Sequence, residues 1–285
     1  MSEKVLIASD STCDLSPELI ERYGIKILSL GVNLGEKLYA DGVDITPDDI
    51  YEYYSVTGEL PKTSAVNMCD FEDFFREYTN KGYSIVCFTI SSDMSSTFNN
   101  ARMAAEEFEN VYVVDSRNLS TGSGLLVCAA GDMARDGMSA SEIYESVTAL
   151  RDRVSASFII DDLEFLCKGG RCSALAAFGA NLLKLKPCIT VSGGAMGVSK
   201  KYRGPFVQVL STYISEQLSD CDNVDPERVF ITHAGCDEEI YTACVEQVKA
   251  LGIFKEVLVT RAGCTVSSHC GRNTLGILFI KKNSL

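Results

Sequence analysis

Two short runs of hydroxyl side chains contain the residues whose types and spacing best fit ligand binding. Thr63 and Ser64 form the first run. The second run, Ser91–Thr97, directly follows the apolar stretch 85–90. Where a buried strand ends and a helix begins, free backbone N–H groups and hydroxyls together offer a site to a small anion. We therefore expect the ligand to carry a carboxylate or a phosphate group.

Helix capping is the alternative interpretation of these polar residues, because serine and threonine hydroxyls often accept hydrogen bonds from the first turn of a helix. Thr63-Ser64 fits a cap of the helix that begins near Asp70 as well as it fits a ligand site. Asp10 and Ser11, after the first predicted strand, are equally open to both interpretations. Ser91–Thr97 contains five hydroxyls in seven residues, which is more than one cap requires.

A cysteine beside a histidine is the strongest indication of catalysis, and it makes a small-carboxylate or ester hydrolase the alternative function. His269 and Cys270 lie in the polar segment 267–276, which we predict to be a loop. Adjacent side chains do not readily point at each other, so the pair fits a nucleophile and its base poorly. The glycine signatures of dinucleotide sites, phosphate loops and esterase elbows do not occur in the sequence. The residues therefore favour a site that holds its ligand over one that cleaves it.

Composition and charge exclude other classes of protein. The chain has 285 residues, 46% of them hydrophobic, which suffices for one large domain or two ordinary ones. Its net charge of −13 argues against nucleic-acid binding, because affinity for the phosphate backbone depends on lysine and arginine. Most of the twelve cysteines lie in apolar runs and none has C-x-x-C spacing. We therefore expect buried thiols, with neither a metal site nor a disulfide framework.

The start of the chain and its hydropathy predict a cytoplasmic protein. The first four residues lead directly into a strand-like run without the pattern of a secretory signal. No apolar stretch approaches the ~20 residues that a membrane-spanning helix needs. We therefore expect contact with a membrane to be transient at most.

Strand-like apolar runs alternate with helical patterns along most of the chain, which is typical of an α/β fold with a mostly parallel sheet. The predicted strands are 5–9, 25–32, 84–90, 111–115, 157–161, 229–233, 256–261 and 276–281. Helices are predicted to begin after Ser16 and Thr46, and to cover 69–79, 96–108, 122–135, 141–153, 174–185, 206–218 and 238–251.

The segment 186–204 departs from this alternation, because two strand-like stretches flank Gly193-Gly194 as in a β-hairpin. Such an insertion often marks a second domain. We therefore predict two α/β domains. The N-terminal domain, 1–152, has a mostly parallel sheet flanked by helices, and the C-terminal domain, 153–285, contains the hairpin.

Two basic clusters bracket the hairpin: Lys168–Arg171 lies before it, and Lys200–Arg203 closes it. In a chain of net charge −13, they are candidates for docking an acidic partner or a phosphate. Two glycines ahead of Arg171 let the backbone and the guanidinium approach such a partner closely. The alternative interpretation is a helix C-cap with a solvated basic end.

The order of the motifs resembles the DegV family of bacterial fatty-acid-binding proteins. The resemblance runs from Val5 to Lys281 and depends on seven motifs that occur in the family's order. The motifs are Asp10-Ser11-Thr12; Thr63-Ser64; Ile90-Ser91-Ser92 with Ser95 and Thr97; Leu163–Leu166 with Gly169-Gly170-Arg171; Leu183–Pro187; Arg203; and His269–Gly276.

The resemblance implies a fold and a function. The fold is two α/β domains with a long apolar lipid tunnel between them. The function is to bind a long-chain fatty acid and to present its carboxylate to a fatty acid kinase, for phospholipid metabolism. The protein is then an acyl carrier without a cofactor, and not an enzyme. Arg171 and Arg203 are implied at the head-group end or in the contact with the kinase.

The resemblance also implies which polar groups bind the carboxylate. Carried over to this sequence, Thr63 and Ser92 are its first ligands. Ser64 and Ser95 come next, and His269 completes the polar network. Hydroxyl donors orient a carboxylate without a buried permanent charge, so several must lie together to offset its burial.

Three departures from the family's pattern affect the expected head-group geometry. Asp93 and Ser96 stand where small glycines are expected in the serine loop, and Arg272-Asn273 replaces the usual Gly-Pro. A carboxylate at position 93 is unfavourable beside a bound carboxylate unless it points away. Arg272 is a candidate for an additional cation at the site.

Overall fold

The computed structural model describes residues 3–170 and 185–282. Its strands are β1 (Lys4–Asp10), β2 (Lys26–Leu28), β3 (Gly31–Leu34), β4 (Lys37–Ala40), β5 (Lys62–Ser64), β6 (Tyr83–Thr89), β7 (Val111–Asp115), β8 (Val154–Ile160), β9 (Lys186–Ser192), β10 (Ala195–Tyr202), β11 (Val224–Ala234), β12 (Glu256–Arg261) and β13 (Thr274–Lys281). Its helices are α1 (Pro17–Tyr23), α2 (Pro47–Thr57), α3 (Met68–Asn80), α4 (Thr97–Ala105), α5 (Thr121–Arg135), α6 (Ala140–Leu150), α7 (Glu164–Lys168), α8 (Phe206–Gln217), α9 (Glu238–Ala250) and α10 (Cys264–Cys270).

A four-stranded parallel sheet, in the order β2–β1–β6–β7, forms the first layer. Strand β6 is buried over nearly its whole length because helices cover both faces of the sheet. Phe71 and Phe75 of α3, with Ala101 of α4, pack on one face. Leu125 of α5 and Ile143 of α6 pack on the other. The predicted parallel sheet flanked by helices is confirmed.

A six-stranded mixed sheet, in the order β10–β9–β8–β13–β11–β12, forms the second layer. Its neighbouring strands are antiparallel except for β11 and β12. Strands β9 and β10 form the predicted hairpin at one edge. Its turn residues, Gly193 and Gly194, have φ angles of +58° and +93°, a region that glycine enters without steric cost.

A third sheet of three short antiparallel strands, in the order β4–β3–β5, was not predicted. Thr63 and Ser64 lie at the end of β5, and the cap of α3 is Asn67, which accepts the N–H of Asp70 at 2.9 Å. The capping interpretation of Thr63-Ser64 was therefore wrong. The predicted strand 25–32 is divided into β2 and β3, because the chain leaves the first sheet after Leu28.

The serine-rich segment before Gly271 was predicted as a loop, and that prediction was wrong, because it forms the end of the buried helix α10. The two serine hydroxyls of this helix find backbone acceptors nearby, which lowers the cost of burying them. Ser267 donates to the carbonyl of Ala262 at 3.1 Å, and Ser268 donates to that of Cys264 at 2.7 Å. The predicted helix 174–185 lies outside the described residues except at its last position, and the domain boundary between 152 and 153 stays a prediction.

Candidate functional site

A cavity of about 290 Å³ lies where the third sheet, the loop after β6 and helix α10 meet. Its wall combines hydroxyl and imidazole groups with apolar side chains. The lining residues are Leu30, Thr63, Ser64, Ala65, Ile90, Met94, Ser95, Ser96, Leu119, Leu166, Met196, Thr265, Val266, His269 and Cys270. The volume is close to the lower end of the range for small-molecule pockets, about 300–1,000 Å³.

Thr63 and His269, which are 206 positions apart in the chain, form the polar pair of this cavity. Strand β5 places Thr63, which pairs with Val32 of β3. Helix α10 places His269 one residue before its end. The Thr63 Oγ1 and His269 Nε2 atoms are 3.0 Å apart, and both side chains are partly buried. Such a pair can donate hydrogen bonds to a carboxylate without a fixed positive charge.

The loop after β6 divides the predicted serine ligands into two groups. Ser95 lines the cavity, and its hydroxyl lies 2.9 Å from that of Thr97 and accepts the Thr97 N–H at 3.2 Å. Ser92 is not among the lining residues. Its hydroxyl donates to a carboxylate oxygen of Asp115 at 2.6 Å, and its N–H donates to the other at 3.1 Å. The structure thus brings Thr63, Ser95 and His269 together, and it places Ser92 against Asp115.

Three residues that depart from the family's pattern, Asp93, Ser96 and Arg272, have different surroundings. The carboxylate of Asp93 lies 3.9 Å from the guanidinium of Arg117, beside the hairpin turn, and is absent from the cavity wall. Ser96 lines the cavity and adds a hydroxyl. Arg272 lies over the ring of Tyr51 at 4.6 Å, and 3.9 Å from Asp48, so its charge is used outside the cavity.

A second cavity of about 30 Å³ adjoins the first and extends between α5, α10 and the second sheet. The two cavities share Leu119, Val266 and Cys270, whereas the hydroxyl and imidazole residues of the first do not line the second. Phe158, Val191 and Leu278 are among the further apolar residues of its wall. Ser120, Thr232, His233 and Thr274 also belong to its wall, but the surface that they expose there is almost wholly apolar. The second cavity is therefore a small apolar extension beside the first.

The sequence over nearly its whole length matches one family model. The model, described as "Uncharacterised protein, DegV family", matches residues 4–282. The chain belongs to the DegV family. The resemblance drawn from the seven motifs is thereby confirmed.

Relatives of this DegV chain include both sequences and solved structures. A DegV domain-containing protein of Clostridium perfringens is 30% identical over 282 residues, which are 98% of this chain and 99% of the relative. A DegV family protein from Thermus thermophilus, whose structure is described as one of fatty acid binding, has a TM-score of 0.91 at 30% identity, covering 98% and 99% of the two chains. A stearic acid-binding protein from Eubacterium ventriosum has a TM-score of 0.83 at 29% identity, covering 97% and 98%. The predicted α/β fold is confirmed by these matches.

Of the two arginines assigned to the head group or to the kinase contact, the structure describes Arg203 alone. Arg203 is exposed, directly after β10, and does not line the cavity. Arg171 lies outside the described residues. Both assignments stay predictions, and Arg203 has the accessibility that a docking contact requires.

The cysteine of the hydrolase alternative is poorly placed for nucleophilic chemistry in this DegV chain. Cys270 is 5% exposed, and burial raises the pKa of its thiol to about 12. A thiol with so high a pKa stays protonated at neutral pH and is a weak nucleophile. The second histidine, His233, stacks on Tyr241 with ring centroids 4.4 Å apart. Burial, aided by the charge of Arg261, lowers its pKa to about 4.

Sequence reasoning missed the apolar part of the site. Leu119, Met196 and Val266 line the cavities, and each comes from a different region of the chain. No local signal distinguishes such residues from ordinary core residues, because both have apolar side chains. In 3–170 and 185–282, no helix is both long and apolar enough to cross a bilayer, and no group of three metal-binding side chains occurs.

Proposed function

We propose that this DegV protein binds a long-chain fatty acid, with the carboxylate at Thr63 and His269 and the acyl chain along the apolar wall of the first cavity, towards the second. The observation that carries the proposal is a cavity whose wall combines hydroxyl and imidazole groups with apolar side chains, and which adjoins a second, mostly apolar cavity. The fatty acid and stearic acid described for the Thermus and Eubacterium proteins support the same ligand class.

The acyl chain provides most of the binding energy in this proposal. Burying a methylene contributes about 0.8 kcal/mol, so roughly fourteen of them contribute on the order of 11 kcal/mol. Ordering a flexible chain returns part of that free energy. The head group then needs orientation more than additional affinity, which suits hydroxyl and imidazole donors.

We rank the polar ligands in this proposal by their place on the cavity wall and by the hydrogen bonds that they already make. Thr63 and His269 contact each other on the cavity wall, which Ser95 and Ser64 also line. Ser92 can bind the carboxylate only after its hydroxyl leaves Asp115, so it takes the last place among them.

We also propose that the protein is an acyl carrier for a fatty acid kinase in the cytoplasm, within phospholipid metabolism, and not itself an enzyme. The buried, protonated thiol of Cys270 supports binding over hydrolysis. Arg203 is an accessible cation at the end of β10, beside Lys200 and Lys201, and with Arg171 it is our candidate contact for an acidic surface of the kinase.

A coupled assay tests the carrier role. We expect Arg203→Ala to leave stearate affinity unchanged and to lower acyl-phosphate formation by a purified bacterial fatty acid kinase about tenfold, the loss typical of one charge-assisted contact. Lys255→Ala, which removes a different exposed cation, serves as the control. Equal turnover for Arg203→Ala and wild type contradicts the contact, and lost stearate affinity moves Arg203 into the binding site.

A further inference from the structure

Two buried carboxylates from the first part of the chain hold the start of α10. Asp41 accepts the N–H of Cys264 at 2.8 Å and that of Thr265 at 3.0 Å. Asp14 accepts the N–H of Gly263 at 2.8 Å. First-turn N–H groups have no partner within their own helix, so side-chain oxygens that accept them fix the start of the helix. The position of α10 is therefore tied to residues more than 200 positions away.

The same Asp41 is also fixed to the third sheet. It directly follows β4, and its own N–H donates to the carbonyl of Leu30 at 2.9 Å. Its carboxylate accepts the hydroxyl of Ser11 at 3.1 Å, and that hydroxyl accepts the N–H of Leu30 at 3.1 Å. Leu30 leads into β3, where Val32 pairs with Thr63 of β5. Both the carbonyl and the N–H of Leu30, the residue before β3, are thus connected to Asp41, which itself follows the neighbouring strand β4.

Asp41 accordingly contacts both elements that carry the polar pair of the cavity. The third sheet carries Thr63, and α10 carries His269 at its far end. We infer that, if the proposed function holds, Asp41 is a positioning residue of the head-group site: it keeps Thr63 and His269 in register for one carboxylate. It lines neither cavity, so it acts through the two elements and not on the ligand.

Apolar packing alone does not fix this register. Cys264 of α10 packs with Val32 and Ile45 in a common apolar cluster, and such contacts tolerate small shifts because they lack direction. Hydrogen bonds lose strength steeply as their angle departs from linearity, so the three bonds accepted by Asp41 restrict orientation as well as distance. Asp41 is 2% exposed, so water does not readily replace it. An amide at this position keeps the volume but has only one oxygen to accept these donors.

A comparison of an acid with its ester isolates the positioning role. Stearate needs the polar pair, whereas methyl stearate has no carboxylate and depends on burial of its chain. We expect Asp41→Asn to weaken stearate binding about tenfold in titration calorimetry, as expected for losing one well-aligned charge-assisted bond, and to leave methyl stearate binding unchanged. Glu52→Gln, which removes an exposed carboxylate on α2, should change neither. An equal loss for acid and ester, or no loss for either, overturns the inference.

Two further measurements keep the inference testable if Asp41→Asn is poorly folded or the ligand is wrong. Ser11→Ala removes only the hydroxyl between Asp41 and Leu30, and it should produce a smaller loss, again confined to stearate. The chain has two histidines, so imidazole NMR of the ligand-free protein can follow both. Substitution of Asp41 should shift the signals of His269 and leave those of His233. Unshifted His269 signals refute the positioning role, and failure of the wild type to bind either lipid refutes the proposed function alone.

Discussion

At the scale of residues, the Thr63 hydroxyl and the His269 imidazole suit a carboxylate because they donate hydrogen bonds beside an apolar chain without a fixed charge. Their donor and acceptor atoms lie 3.0 Å apart, so a carboxylate that enters between them exchanges an existing hydrogen bond for charge-assisted ones. This exchange favours the ionised acid over its neutral esters.

Thr63→Val tests that exchange directly, because valine keeps the branched shape and removes the hydroxyl. We expect stearate affinity to fall by about tenfold to a hundredfold, the value of one hydrogen bond to a charged group, with methyl stearate affinity and the urea midpoint unchanged. Thr212→Val, at an exposed threonine of α8 that bonds its own helix, is the matched control. A stearate affinity equal to that of wild type contradicts the assignment of Thr63.

The sequence identified the hydroxyl-rich runs as candidates for a ligand site, because residue types and clustering are local properties. It could not order their members. Ser92 and Ser95 look alike in the sequence, yet Ser92 is bound to Asp115 and Ser95 lines the cavity. That difference comes from β7, which places Asp115 beside the loop after β6.

At the scale of elements, the hairpin β9–β10 is fastened to the loops that surround the cavity. Ser91 donates its hydroxyl to the carbonyl of Gly194 at 2.6 Å, and Arg117 donates to the carbonyl of Gly193. Met196 of the same hairpin lines the cavity. The turn therefore positions part of the cavity wall.

Gly194→Ala should destabilise the protein by about 1–2 kcal/mol, because alanine at a φ of +93° is strained and its Cβ would lie 2.9 Å from the Ser91 Oγ. Urea denaturation measures this change in the free energy of unfolding. Gly197→Ala in β10 is the control, since a Cβ there meets no atom within 4 Å, and it should cost at most a few tenths of a kcal/mol. Equal stability of the two variants contradicts the role of the turn.

The hairpin and the strands of the first sheet were predictable because glycine pairs and buried apolar runs are strong local signals. Strand β5 and helix α10 were not. The three residues of β5 exist as a strand only through pairing with β3, and α10 is a serine-rich helix whose first turn is held by distant carboxylates. Both elements carry site residues, so the site was the part of the fold least visible in the sequence.

At the scale of the whole molecule, the apolar extension lies between two packed layers and not within one element. Leu119 precedes α5, Phe158 belongs to β8 and Leu278 to β13, and all three line the second cavity. Alternation of strands and helices predicted the layers, but the space left between them depends on how side chains distant in sequence pack. The cavities therefore required the structure.

The identity of the lipid extracted from the purified, denatured protein tests the central claim most directly. Mass spectrometry should find a long-chain fatty acid at close to one molecule per chain in wild type, and less of it in Thr63→Val. A protein that carries no fatty acid and also fails to bind added stearate would contradict the account and leave only the fold in place.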